Sequence, residues 1–467
     1  MTIQPGDLIE VTTEGVAQGG WCVARPPDEP VVFVRHALPG ERLIARVTEV
    51  TSRLARADAV EVLEAAADRV KPPCPHARPG GCGGCDWQHA SLPAQRALKA
   101  AVVREQLRRV AGIDHEVMVE PMPGDSDDAV APGLGWRTRV QFAVDEDGTA
   151  GLRAHRSHEV IDIGDCLIAH PGIRDLGIPR RHWTGAIAVE TAVAPGPVGD
   201  GEVPGGEGTE REVIVVSASR PAEVPDVGAE SVLSRYGRKL APVRGRAYLT
   251  QRAAGREWRV SAGSFWQVHP AAADTLTAAV LAALEPKPGD SAIDLYCGAG
   301  LFAGSLAAAV GPDGTVTGVE SDEAAVRDAR HNLREYPWAQ VHRGEVGAVL
   351  RSAGQRGPGP RASRQHSTSR QQSGSRKQGG RPARQALPPA RLAVADPPRS
   401  GLDRAVIGYL SATGSATERF CYVSCDPATL ARDIGLLLAR GWSLEGLRAF
   451  DAFPMTHHVE CVAWFSR

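Results

Sequence analysis

Along the start of the chain, apolar and polar positions alternate in short runs: DLIEVTT, WCVAR, VVFVRH and RLIARVTEV. A period of two predicts strands with one buried face. Gly and Pro turns such as EGVAQGG and ALPGE separate these runs, so residues 1–65 are expected to form a small β module. The period then changes. In LPAQRALKAAVVREQLRRVA (92–111), Leu98, Val102, Val103, Leu107 and Val110 fall near one face of an amphipathic helix. Residues 136–168 return to strand patterning, and 194–212 form a Gly/Pro/Glu loop with no core signal. From about residue 263, apolar strands alternate with helices, the mark of a parallel α/β sheet. The expected division is a β module at 1–65, a mainly β central region at 66–262 and an α/β region at 263–467, with helix 92–111 packing on the last.

A length of 467 residues suits two to four domains, and a hydrophobic content of 42% can fill their cores. No apolar run reaches the roughly 18 residues of a membrane span. The start, MTIQPGDLIEV, lacks the basic-then-apolar pattern of a signal peptide, so a cytoplasmic protein is expected. Its nine cysteines are then free, catalytic or metal-bound rather than paired. Formal net charge is −2, so any nucleic-acid binding must come from local patches. Arg35, Arg42, Arg46, Arg53 and Arg56 bias the first module. Residues 351–391 hold ten Lys or Arg and no Asp or Glu among Ser, Gln, Gly and Pro. Such a stretch buries too little apolar surface to order itself and is expected to be a disordered basic insertion.

Candidate chemistry sits in the last region. In SAIDLYCGAGLFAGSLAAAV (291–310), Gly298 and Gly300 permit a tight turn between a strand and a helix, and close backbone approach to a ligand. VTGVE (316–320) ends a second strand on Glu320, placed to accept from ribose hydroxyls. The turn CGAG is one glycine short of the dinucleotide pattern, and DLYCGAG instead resembles the first motif of class I methyltransferases, which bind S-adenosylmethionine. LAVADPPRSG (392–401) ends a strand in Asp-Pro-Pro, a stiff loop at the carboxyl edge of the sheet where ligands bind. Amino-methyltransferases carry an aromatic after a similar motif; Arg399 stands there instead.

YVSCDPATLARD (422–433) puts Cys425 between an apolar strand and a helix capped by Asp426 with Pro427 in its first turn. The helix start is expected to favour a thiolate. A thiolate explains itself if the methyl acceptor is carbon 5 of a pyrimidine, which is too electron-poor to attack a methyl donor. Addition of sulfur to carbon 6 places negative charge at carbon 5. The carbon-5 proton must afterwards be removed by a base, and Glu460 in DAFPMTHHVECVAWF (451–465) is the candidate.

Together, DLYCGAG, DPPRSGLD, YVSCDPATLARD and FPMTHHVE resemble, in this order, the RNA 5-methyluridine methyltransferases. The resemblance implies a Rossmann-like class I catalytic domain that methylates carbon 5 of uridine in structured RNA, with ribosomal RNA favoured over tRNA. It implies Cys425 as nucleophile, Glu460 as base and Asp396 in the pocket between donor and uracil. Gln267, Tyr296, Gly298, Gly300 and Glu320 match positions that hold the donor. His269 stands where many members have asparagine. Residues 5–62 resemble the TRAM domain, a small RNA-binding β-barrel of the OB-like kind, and WRTRVQFAV (136–144) resembles a strand whose arginines face RNA, which points to Arg137 and Arg139, with Phe265 as a further RNA contact.

CPHARPGGCGGCDWQH places Cys74, Cys82 and Cys85 close together among glycines, and Cys166 is the best fourth ligand. Four thiolates suit zinc or an iron–sulfur cluster. The resembled family often carries a 4Fe-4S cluster here, which favours the cluster in a structural role. A monomer with an RNA partner and no membrane association is expected. The competing functions are an RNA-folding factor that uses the same surfaces without turnover, and a different, amino-directed methyltransferase.

Overall fold

The computed structural model describes residues 3–129, 131–196, 208–354 and 387–467. Within the loop expected at 194–212, residues 197–207 lie outside this set, and so do 355–386 of the basic insertion. Five strands, β1 (Leu8–Ala17), β2 (Trp21–Ala24), β3 (Val31–Arg35), β4 (Arg42–Val50) and β5 (Leu54–Glu64), close into a barrel in the order β1-β2-β3-β5-β4. Alternate residues point inward, and small ones such as Ala24, Ala45, Ala55 and Ala57 let the narrow interior close around Val32, Val34 and Leu43.

The predicted helix is α1 (Leu92–Gln106), capped by Ser91. It continues as a π turn, Leu107–Ala111, that ends on Gly112 in the left-handed region at φ 69°. The wider π turn shifts the side-chain register. Val110, expected on the buried face, is therefore 49% exposed. The chain then forms β6 (Val119–Pro121), which pairs parallel with a strand of the C-terminal sheet. Residues 92–121, counted by sequence with the central region, thus pack into the C-terminal unit: Val103, Leu107, Val117 and Val119 share one core with Ile434 and Leu437.

The central sheet has seven strands in the order β13-β12-β11-β10-β7-β8-β9. They are β7 (Arg139–Val144), β8 (Ala150–Arg153), β9 (Val160–Ile161), β10 (Ala188–Ala194), β11 (Glu210–Ser217), β12 (Ser231–Tyr236) and β13 (Lys239–Arg244). The short helix α2 (Pro171–Arg174) and Trp183 cover one face. A ribbon of β14 (Tyr248–Ala253) and β15 (Arg256–Ser261) follows.

The last sheet has eight strands in the order β18-β17-β16-β19-β20-β22-β21-β6. Its parallel half is β16 (Ser291–Leu295), β17 (Thr315–Glu320), β18 (Ala339–Arg343), β19 (Leu392–Ala395) and β20 (Arg419–Ser424). β21 (Ser443–Asp451) and β22 (Glu460–Ser466) add an antiparallel hairpin. Helices α3 (Ala272–Leu284), α4 (Leu301–Val310), α5 (Glu323–Asn332), α6 (Val346–Gly354), α7 (Arg404–Leu410) and α8 (Pro427–Leu438) cover both faces. That double cover is why β16, β19 and β20 are almost continuously apolar. Their carboxyl ends open onto one cleft. No helix among the described residues is long and apolar enough to cross a membrane.

Candidate active site

The donor side of the cleft is the turn from β16 to α4. Tyr296 sits at φ 67° and Gly298 at φ 52°, and Gly300 at φ 93° has only 3.3 Å between a would-be Cβ and Ala329 Cβ. Glycine at 300 thus answers both a left-handed backbone and a close helix contact. Glu320, at the end of β17, accepts from Gly298 N at 3.0 Å, Ser321 N at 2.6 Å and Asp322 N at 2.8 Å. Three backbone donors hold this carboxylate at the rim, where it lines the cleft with Tyr296, Gly298 and Gln267. Gly300 lies behind the lining. Asp294, not singled out in the sequence, is fully buried, accepts from Ala303 N at 2.8 Å and ties the turn to α4. A buried acid in an apolar strand was the available signal.

The acceptor side joins three strand ends. Asp396 follows β19, Cys425 follows β20 and Glu460 opens β22, and all three line the same cleft with Arg399, Phe453 and His458. Burial raises the Asp396 carboxyl to about 7. Burial, and then the charge of Asp396, raise Glu460 well above the carboxylate range, with Arg399 opposing. Asp426 does cap α8, its Oδ1 accepting from Thr429 N at 2.8 Å. The expected thiolate is nevertheless corrected: the Cys425 thiol is pushed up to about 12, first by burial, then by Glu460 and Asp396. The capping carboxylate occupies the helix start and takes up the positive end of its dipole.

The RNA-side candidates separate. Phe265 is 70% exposed at the cleft. Arg137 lines the cleft and donates to the Arg139 carbonyl at 3.1 Å. Arg139 does not face the cleft. Its guanidinium turns inward to donate to Ser264 O at 2.7 Å, and burial lowers it to about 10 against the opposing charge of Glu212. The two arginines share strand parity, but Arg139 is already inside the sheet, paired across to Ala192, whereas Arg137 precedes it. His269 stacks on Trp136 at 6.0 Å and accepts from Ala271 N through Nδ1 at 3.2 Å. It helps shape the turn into α3.

Cys74, Cys82, Cys85 and Cys166 line one small cavity with His76 and Gln88. Among the described residues, no three of His, Cys, Asp or Glu converge as a ready metal site. Burial raises the thiols of Cys82, Cys85 and Cys166. The loop's glycines are needed for space: a Cβ at Gly81 would lie 2.1 Å from His76 O, and one at Gly83 would lie 2.8 Å from His155 Cα.

This loop reaches the acceptor side, which sequence reasoning missed. Asp86 N and Trp87 N both donate to Met455 O at 3.0 Å, and Asp86 Oδ2 accepts from His457 N at 3.1 Å and pairs with His457 Nδ1 at 2.6 Å. From α1, Gln95 Oε1 accepts from Met455 N at 2.7 Å, and the buried Lys99 donates to Asp451 and to Phe453 O. The segment leading to Glu460 is thus held by residues more than 300 positions earlier in the chain.

A β-barrel, a central sheet and a Rossmann-like sheet whose Gly turn and acidic strand end face two carboxylates, one buried and one half-buried, and a cysteine define a class I methyltransferase with an appended TRAM barrel. Sequence models agree: that of the tRNA (uracil-5-)-methyltransferases matches 390–467, that of the TRAM domain 4–60, and one of protein-L-isoaspartate O-methyltransferases 213–354. An uncharacterized RNA methyltransferase of Streptomyces avermitilis is 45% identical over 98% of both chains. A 23S rRNA (uracil(1939)-C(5))-methyltransferase of Halomonas elongata is 31% identical, over 97% of this chain and 88% of that one. The Pyrococcus abyssi tRNA (uracil-54, C5)-methyltransferase, solved with S-adenosyl-L-homocysteine, shares the fold with a TM-score of 0.65 at 20% identity, covering 98% and 100% of the two chains. The chain belongs to the RNA uracil-5-methyltransferase family, and is an S-adenosylmethionine-dependent enzyme acting on RNA.

Proposed function

We propose that the enzyme methylates a uridine of structured ribosomal RNA through a covalent bond between Cys425 Sγ and uracil carbon 6. The observation that carries this is the meeting of Cys425, Asp396 and Glu460 in one cleft opposite the Gly298–Glu320 donor turn. Preference for ribosomal RNA rests on the full-length likeness to the Halomonas elongata protein.

In this reading Tyr296, Gly298, Glu320 and Gln267 hold the donor, Phe265 and Arg137 engage RNA, and Asp396 lies between donor and uracil. Cys425 releases its proton to water and its sulfur adds to carbon 6, carbon 5 takes the methyl group as the donor's sulfur–methyl bond breaks, and Glu460 as a carboxylate takes the carbon-5 proton as the bond from carbon 6 to sulfur breaks. The positive charge of a donor held by these residues would favour the ionised forms of the thiol and both carboxyls. The test is Cys425→Ala, which should bind S-adenosylmethionine and abolish methylation. RNA carrying 5-fluorouridine should trap wild-type enzyme covalently, because fluorine cannot leave as a cation. Methylation by Cys425→Ala would overturn the mechanism.

The cysteine cavity is assigned to a 4Fe-4S cluster held by Cys74, Cys82, Cys85 and Cys166. Four thiolates suit zinc or an iron–sulfur cluster, and the resemblance of the cysteine motif to that of the family's cluster-bearing members favours the cluster. The group would brace the Cys85–Trp87 segment and so the chain leading to Glu460.

A further inference from the structure

The tip of the β1–β2 hairpin leaves the barrel and enters the catalytic region. A register shift between Thr13 and Gly15 bends β1 just before the tip. Gln18 Nε2 then donates to Asp426 Oδ2 at 2.8 Å. That carboxylate is the cap of α8, and its residue directly follows Cys425. Two residues on, Gly20 is buried at φ 80°, and a Cβ there would lie 3.0 Å from His457 Cβ and 3.1 Å from Asp86 Cβ. The Gly20 carbonyl accepts from Trp87 Nε1 at 3.1 Å. One turn of the barrel therefore touches both the residue after Cys425 and the segment that leads to Glu460.

We infer that Gln18 and Gly20 are positioning residues for methyl transfer. The hairpin tip sets the spacing between Cys425 and Glu460, so the barrel is part of the catalytic apparatus as well as an RNA-binding module. This rests on the reading of Cys425 as nucleophile and Glu460 as base. The physical reason is that the two groups come from different strands and are joined by no side-chain bond to each other. Cys425 must approach carbon 6 and Glu460 the carbon-5 proton of the same ring, and small misplacements there are costly. Gln18 also holds the carboxylate of Asp426, the residue that directly follows Cys425 and caps α8. The tip holds one side with a hydrogen bond and the other by shape, and it can do the second only as glycine.

The experiment uses the full-length enzyme with its RNA and follows three quantities: RNA KM, kcat, and the rate of covalent trapping on 5-fluorouridine RNA. Gln18→Ala should melt like the wild type and keep RNA KM, while kcat and the trapping rate fall about tenfold, the loss expected for one hydrogen bond to a charged group. Gln18→Glu should be worse, because it sets a carboxylate against Asp426. Adding Asp426→Asn should recover much of that loss relative to Asp426→Asn alone, because the donor and acceptor are exchanged and Asn still caps the helix. Gly20→Ala should trap at the wild-type rate but accumulate methylated adduct on ordinary RNA, since it disturbs the base side. A rise in RNA KM at unchanged kcat would overturn the inference and leave the tip a binding element. Loss without recovery in the double variant would also overturn it. If Cys425→Ala is inactive and Gln18→Ala is not, only this inference falls; if Cys425→Ala is active, the underlying mechanism falls.

Discussion

Burial raises the pKa of Asp396, the Asp396 charge adds to burial in raising Glu460, and both carboxyls add to burial in raising Cys425, with Arg399 opposing at Glu460 and Cys425. The carboxyls give a stability prediction whose sign can be worked out. The folded pKa of Asp396, about 7, lies above its ordinary 3.8, so the folded state keeps a proton that the unfolded chain releases. Stability therefore falls as pH rises from the unfolded value through about 7. Asp396→Asn has no such proton to lose. Its melting temperature should exceed that of the wild type at pH 8, and the gap should shrink toward pH 4, by scanning calorimetry. Activity should move the other way. The base must be ionised, so kcat of the wild type should rise with pH toward a plateau, and removing the Asp396 charge should shift that rise to lower pH.

At the scale of elements, the decisive one is the connection from β21 to β22. It has no regular structure, yet Met455 sits at φ 69° and Met455, Thr456 and Val459 are buried. Such a conformation persists only where surroundings over-determine it. Gln95, Lys99, Asp86, Trp87 and Gly20 are those surroundings. Lys99 is the costliest to lose, being fully buried with Asp451. Lys99→Ala should destabilise the protein by about 3–5 kcal/mol in urea unfolding, because the Asp451 charge is left buried and unpaired. The exposed ion pair of Arg109 and Glu105 is the contrast, and Arg109→Ala should change stability by less than about 0.5 kcal/mol.

For the whole molecule, the cysteine loop, the barrel tip and α1 all reach the connection between β21 and β22. A group bound at Cys74, Cys82, Cys85 and Cys166 would stiffen one of them. Purified without air, the enzyme should be brown with about four irons per chain, and Cys166→Ser should lose iron and colour. Because Asp86 adjoins Cys85 and holds His457, iron loss should also lower kcat more than donor affinity, measured as S-adenosylmethionine Kd by calorimetry. A colourless protein with one zinc would reverse the assignment.

Much of this was open to reading from residue order alone. Period-two runs announced the barrel strands, and near-continuous apolar runs announced the buried parallel strands, because local backbone period and two-sided burial leave a direct imprint on sequence. Short motifs singled out Glu320, Asp396, Cys425 and Glu460, which line one cleft, because strand ends and helix caps are local features. Three things were decided only by tertiary structure. Arg137 and Arg139 look alike in sequence, and only packing shows that one lines the cleft and the other turns inward to bond the Ser264 carbonyl. The state of the Cys425 thiol depends on carboxyls 29 residues before and 35 residues after it, which the local helix-start argument could not weigh. The grip of Gln18 on Asp426 spans 408 residues. Electrostatics and long-range contacts act through space, and they leave no period or spacing along the chain.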